Sequence, residues 1–235
     1  MRARMIAVLL CLSMSSMVPA VGDEHGSLDP PYEKTGEQLG CGTPTFATCV
    51  AEGEFDPSDG TVEFDLSVEA GPPVGAGSGI AFGGVAFSVD DELTVPVESL
   101  AYEVDVHVAS ASASVTGVYA NSIGLLGSGY ALAQMSAGAA NDSCACGGSP
   151  GNATIVTAFS DSVPDSLTDA TFRLRVEMLP EEGEEMIPAG RVRVTVALFG
   201  NVGLGFGIDF GLGVPDTGEA AVLLDAQVTG IRRAA

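Results

Sequence analysis

Three groups of side chains in this 235-residue sequence are spaced so that they could do chemistry. Between Thr61 and Ala70, the carboxylates Glu63, Asp65 and Glu69 fall on alternate positions. An extended strand would bring all three to one face. Paired carboxylates on one face suit glycoside hydrolysis, in which one serves as acid and the other as nucleophile or base. Asp56 and Asp59 flank a tight turn closed by Gly60, and Asp161, Asp165 and Asp169 crowd the approach to a later strand. Clustered carboxylates with loop carbonyls suit Ca²⁺, the one cofactor this sequence points to, because that ion accepts about six to eight oxygens in flexible geometry. The third group is basic. Arg173, Arg175, Arg191 and Arg193 lie on the polar faces of two consecutive strands. Arginine's planar fork makes them candidate ligand-binding residues for an anion or a carboxylate.

Each group also has a plainer reading. Asp and Gly are what a β-turn itself requires, and four arginines among acidic neighbours form cross-strand ion pairs. If the two arginine strands form a hairpin, one register sets Glu177 opposite Arg191 and Arg175 opposite Arg193. The run Glu63-Phe64-Asp65-Leu66-Ser67-Val68-Glu69 resembles the catalytic strand of secreted laminarinase-like glucanases, which carries Glu-x-Asp-x-Glu or a variant with one more residue. That resemblance implies a carbohydrate-active hydrolase using Glu63, Asp65 and Glu69. Here the third acid stands one residue further on than in the longer variant. With no Trp and four Tyr, the composition offers little aromatic platform for sugars. His25 and His107 have no Ser or Cys partner at diagnostic spacing, and there is no Gly-x-Ser-x-Gly elbow.

The elements that must position these groups are strands. Val62, Phe64, Leu66, Val68 and Ala70 alternate with polar residues, as do Leu100 to Val108, Phe172 to Met178 and Val192 to Leu198. Period two with one oily side marks a half-buried strand. Shorter or mixed strands are expected at Ile80–Val89, Thr154–Ser160 and Val222–Ile231, the last of which resembles, over Val222 to Gly230, the final strand of galactose-binding-like jelly rolls. Gly-, Pro- and Asp-rich breakers separate them. The expected fold is all-β, an antiparallel β-sandwich of jelly-roll-like type, with at most one short helix, at Leu125–Ala137. From Val202 to Val214 an apolar face backs onto a nearly bare glycine face. A bend or bulge at Gly200-Asn201 is expected before it, and at a sheet edge this strand would offer a surface for self-association.

Composition sets the surroundings. Nine Lys+Arg against 31 Asp+Glu give a net charge of −22, which excludes ordinary nucleic-acid or anionic-lipid binding. Arg2 and Arg4, an apolar run and Val18-Pro19-Ala20 read as a secretory signal peptide over residues 1–20. No later stretch is long and apolar enough for a transmembrane helix. Residues 21–40 read as a disordered polar tether, and residues 41–235 as a single β-sandwich domain. In an exported chain Cys41, Cys49, Cys144 and Cys146 form disulfides; the preferred connection runs from the Cys41/Cys49 pair to the Cys144/Cys146 pair, because bridging Cys144 to Cys146 closes a very small ring. The functional expectation is a secreted, cell-surface or cell-envelope binding or adhesion module, without catalysis, calcium-assisted, with an extracellular glycan or protein as ligand. Its alternatives are a self-assembling envelope protein and the hydrolase above.

Overall fold

The computed structural model describes residues 28–42, 44, 47–70, 78–116, 128–160, 162–205 and 218–234. The leader-like residues 1–20, Asp161 and most of the glycine-faced segment (206–214) lie outside them. The described chain is all-β, an antiparallel β-sandwich with no helix among the described residues. Eleven strands are present: β1 (Glu33–Cys41), β2 (Ala47–Asp56), β3 (Thr61–Ala70), β4 (Ser78–Leu93), β5 (Leu100–Thr116), β6 (Ser128–Asn141), β7 (Gly148–Ser149), β8 (Gly151–Phe159), β9 (Asp165–Met178), β10 (Gly190–Gly205) and β11 (Gly218–Arg233). The first sheet has the order β1-β4-β10-β6-β8 and the second β2-β3-β11-β5-β9-β7. Apart from the β2–β3 hairpin, successive strands alternate between the two sheets, so nearly every connection crosses the sandwich.

Alternation builds the core as expected. Val62, Leu66, Val68, Tyr102, Val104, Val106, Val194, Val196, Leu198 and Val222 are fully buried between the sheets. Burying each such side chain contributes about 1.5–3 kcal/mol. In the second sheet the phase slips twice. Ala109 is inserted where β5 faces β11, and β11 slips again between Val228 and Gly230. Val108 and Ala111 therefore both point inward, as do Val228 and Ile231. These β-bulges keep the oily side continuous in strands too long for strict period two.

Several sequence expectations are corrected. Residues 33–40, read as tether, are edge strand β1. Glu33, Lys34 and Glu37 on it are the charges that protect an edge from stray pairing. The chain ahead of it is docked as well: Tyr32 is buried, its N–H donates to the Pro57 carbonyl at 2.8 Å, and its ring stacks on Phe87 at a centroid distance of 6.1 Å. Burial, helped by the charge of Asp29, pushes the Tyr32 phenol up to about 12. The segment weighed as helix is β6 from Ser128 onward, its glycines fitting a pleated ladder better than a helix. Gly200-Asn201 makes no bend. β10 runs through it with unbroken register against both β4 and β6, because Gly200 points into the core beneath Phe64.

The disulfides are Cys41–Cys49 and Cys144–Cys146, with Cα separations of 6.0 and 5.2 Å. The long-range pairing is ruled out by distance along the sandwich. Cys41 lies beside Ala81, whereas Asn141, at the start of the other cysteine loop, shares a row with Val192 and Asp91. Ten residues of β4 (81 to 91) separate these rows, ~34 Å of strand. Cys41–Cys49 instead clips the edge strands of the two sheets together.

Candidate functional site

The sheet topology scatters most of the residues singled out in the sequence. β9 belongs to the second sheet and β10 to the first, so the anticipated hairpin does not exist and the four arginines divide between opposite outer faces. Each is paired with acid. Arg173 Nε donates to Asp105 Oδ1 at 2.8 Å, Arg175 Nε to Glu177 Oε1 at 2.9 Å, and Arg193 Nε to Asp90 Oδ1 at 2.8 Å. Arg191 lies 3.4 Å from both Asp90 and Asp142. Arg232 bridges Glu103 and Asp105, Arg233 holds Asp91, and Lys34 holds Glu37. All lysine and arginine side chains among the described residues are thus in ion pairs.

These arginines hold the carboxyls of Asp90 and Asp105 below the ordinary carboxylate value, and hydrogen bonds from Ser58 do the same for Asp56. The folded protein therefore binds fewer protons than the unfolded chain near these groups. Their stabilisation is present above the ordinary value of about 4 and is lost as pH falls through the depressed values. The melting temperature should accordingly fall steeply below about pH 4. Asp105→Asn should flatten that acid limb in a thermal-melt series while leaving the neutral-pH slope unchanged.

The calcium candidates do not converge. Asp56 Oδ1 accepts from Ser58 N–H and Asp59 Oδ1 from Thr61 N–H, so both carboxylates cap their own turn. Gly60 closes that turn at φ +81°, where a Cβ would strike the Val228 carbonyl. Asp165 Oδ2 accepts from Thr157 N–H at 3.0 Å. Asp169 is exposed, with a left-handed backbone (φ +51°), beside the Ala109 bulge. Among the described residues no group of three or more His, Cys, Asp or Glu could hold a metal ion.

Glu63, Asp65 and Glu69 do share one face, the outer face of the second sheet, but there they join an acidic surface. Glu54, Glu63 and Asp225 lie in one cross-strand row, Glu52 and Asp65 in the next, and Glu69 beside Glu219. Glu63 and Glu69 are six residues apart (63 to 69), ~20 Å along the strand. That exceeds the ~5–9.5 Å separation of glycosidase carboxylates, within which Glu63 and Asp65, ~7 Å apart along the strand, do fall. His107 lies opposite Gln227 on β11, away from all three.

The outer face of the first sheet has the opposite character, and sequence reasoning missed it. Reading across β1, β4, β10, β6 and β8, one row holds Ile80, Gly203, Tyr130 and Phe159; the next Gly40, Phe82, Asn201, Leu132 and Thr157; the next Gln38, Gly84, Phe199, Gln134 and Thr154; and the next Gly36, Ala86, Ala197, Ser136 and Asn152. No ionisable group other than the Tyr130 phenol stands in these four rows, on a chain of net charge −22. Along these strands charge returns past a hydroxyl ladder of Thr35, Ser88 and Thr195, where Asp90 and Arg193 begin.

Glycine places the rings. Phe82 is paired directly with Gly40, Phe199 with Gly84 and Tyr130 with Gly203. A Cβ on Gly40 would come within 3.0 Å of the Phe82 ring, and one on Gly203 would run into the Tyr130 ring. The Phe82 and Tyr130 rings thus lie over the bare backbone of the neighbouring strand instead of standing up from the sheet. Aromatic cover of a cross-strand glycine restores the packing that the glycine lacks. Phe199 and Phe159 remain 39% and 60% exposed. The result is a groove of about 790 Å³ bounded by Phe82, Phe199, Leu132 and Tyr130, with Gly36, Gly83, Gly84 and Gly200 contributing no side chains. Asn201 and Gln38 place amides in it, and Glu37, paired with Lys34, stands at its rim.

No family model matches the chain, and no curated protein matches it. Among solved structures, the chain is similar to one described as giving the structural basis for the promiscuous specificity of carbohydrate-binding modules of the β-sandwich superfamily. The similarity is distant: 11% identity and a TM-score of 0.24 over 84% of this chain and 57% of the other. The chain thus spans a little over half the length of that structure.

Two further sequence features find their place. The sequence carries two Asn-x-Ser/Thr tripeptides, the acceptor pattern for N-glycosylation; Asn141, in the first, is buried, donating to the Pro188 carbonyl and accepting from Ser143 N–H. Asn152 is exposed on edge strand β8. Val202 to Gly205, the described start of the glycine-faced segment, sit in a central strand paired on both sides, so this part offers no edge for self-association. Among the described residues no helix is long and apolar enough to cross a membrane.

Proposed function

We propose that this protein is a secreted, non-catalytic binding module that holds an uncharged glycan against the outer face of the first sheet. The observation that carries the reading is the block of four rows, free of carboxylates and cations, that sets three aromatic rings, two of them bedded on glycine, among amides and hydroxyls. A binding surface for a neutral ligand combines apolar, aromatic walls with a few placed polar groups. Sugar rings present C–H faces that stack on aromatic rings and hydroxyls that bond to amides, which matches both halves of this lining. The charge distribution favours an uncharged partner, because every described cation is already neutralised by acid and the opposite face is strongly anionic. Export, as the leader-like residues 1–20 lead one to expect, would put such a face among extracellular polysaccharides.

Affinity electrophoresis tests this reading. Gels containing a neutral β-glucan, a galactomannan or an α-glucan should include at least one that retards the protein, whereas alginate and pectate should not. Phe199→Ala, which removes a half-exposed ring from the centre of the face, should weaken retardation more than tenfold. No reducing sugar should be released. Retention by anionic polymers alone, or a Phe199→Ala protein retarded like wild type, would overturn the assignment.

A further inference from the structure

The centre of the groove is polarised by one hydrogen bond. Tyr130 Oη donates to Asn201 Oδ1 at 2.9 Å, joining two side chains from adjacent strands. Tyr130 lies over Gly203 and is held there by its position opposite that glycine, so the phenol cannot easily follow a turning amide. With Oδ1 taken, the primary amide of Asn201 has its nitrogen left for the groove, and among the described residues that nitrogen has no partner. A free asparagine on a strand can present either its oxygen or its nitrogen. In the structure the tyrosine takes the oxygen and leaves the nitrogen toward the groove.

We infer that Tyr130 is a positioning residue, which fixes the Asn201 amide so that the middle of the groove is a hydrogen-bond donor and the site selects a ligand with an acceptor oxygen at that point. This rests on the glycan-binding reading above and adds which face of the sugar is read. A ring oxygen or a hydroxyl acting as acceptor meets the requirement; an ammonium or amide N–H donor at the same point does not. Sites that use a buried or fixed hydrogen bond discriminate more sharply than apolar ones, because the wrong partner leaves a polar group unmatched.

The test has one arm without ligand and one with it. In the free protein, the Asn201 side-chain NH₂ should show a high NMR order parameter that falls in Tyr130→Phe, which keeps the ring and loses only the hydroxyl. An unchanged order parameter would overturn the inference whatever the ligand. In the second arm, the neutral polysaccharide that most retards the wild type is titrated. Tyr130→Phe should weaken binding about fivefold, the scale of one hydrogen bond. Asn201→Ala should weaken it at least as much, and adding Tyr130→Phe to Asn201→Ala should change nothing further, because the hydroxyl acts only through the amide. Additive losses, or a Tyr130→Phe protein binding like wild type, would refute the positioning role. Insensitivity to Phe199→Ala would instead refute the binding face itself.

Discussion

Asp91→Ala should lower the unfolding free energy by about 3 kcal/mol, one of the two largest effects expected of a single side chain here. Asp91 projects from β4 in the first sheet and is a junction at which polar contacts join the two sheets. It accepts from the Tyr102 hydroxyl of β5 at 2.8 Å and from Arg233 of β11 at 2.6 and 2.9 Å. Arg233 donates in addition to the Glu92 carbonyl at 2.7 Å. Tyr102 is fully buried, and burial together with Asp91 drives its phenol far above the ordinary tyrosine value. Removing the carboxylate leaves a buried hydroxyl without an acceptor and an arginine short of its counter-charge. Breaking a buried pair from one side costs about 3–5 kcal/mol. The lower end applies because the side chains of Arg233 and Asp91 are 17% and 12% exposed and the arginine keeps one carbonyl. For a chain of this size that corresponds to a fall in melting temperature of roughly 6–12 °C. Tyr102→Phe should cost about 1 kcal/mol, since it deletes donor and demand together. A calorimetric melt of Asp91→Ala within about 2 °C of wild type would show that the junction contributes little.

Much of the second sheet could be read from the sequence alone. β3 and the first half of β5 alternate without fault, and their acidic residues stand on the wet side because a strand with one oily face has nowhere else to put them. Where a bulge intervenes, as at Ala109 or between Val228 and Gly230, the period breaks, and only pairing with a neighbour reveals that the oily face continues. The disulfides escaped for a related reason. Which cysteines meet depends on which ends of which sheets lie together, and β1 and β2 are far apart in hydrogen bonding though close in space.

The aromatic face was hidden by a different cause. On β4 and β6 apolar residues occur in both phases, so the outward Phe82, Tyr130 and Leu132 do not stand out from the core by alternation. Few aromatics in the whole chain argue against a sugar platform only if they are dispersed. Register gathers Phe82, Phe199, Tyr130 and Phe159 onto one face, and no property of single strands predicts that. A usable trace did exist. Gly40, Gly84 and Gly203 sit in strand positions where glycine weakens a ladder, and such glycines commonly mark a close approach by another group. Each is paired with an aromatic residue of the next strand.

Gly200→Ala should destabilise the protein by about 2–3 kcal/mol, although alanine is ordinarily the better strand residue. Gly200 faces inward on β10, and a Cβ there would stand 2.5 Å from Phe64 Cε2 and 2.8 Å from both Phe64 Cζ and Leu66 Cδ1. Phe64 and Leu66 belong to β3 in the opposite sheet and are buried, so neither has space into which to retreat. The added methyl must therefore push the sheets apart or force the phenyl ring off its rotamer. Shortening the ring tests this directly. Phe64→Leu alone should be destabilising through the space it leaves, yet in the Gly200→Ala background that space receives the methyl. The double variant should therefore be more stable than the sum of the single losses by at least about 1 kcal/mol in a denaturant-unfolding cycle. Strict additivity would mean that the methyl is accommodated elsewhere. The same strand carries the contrasting case at Gly203, whose outward Cβ would meet Tyr130 on the surface. Gly203→Ala should leave stability nearly intact while displacing the ring that orients Asn201, so along β10 one glycine serves the packing between the sheets and the other the groove.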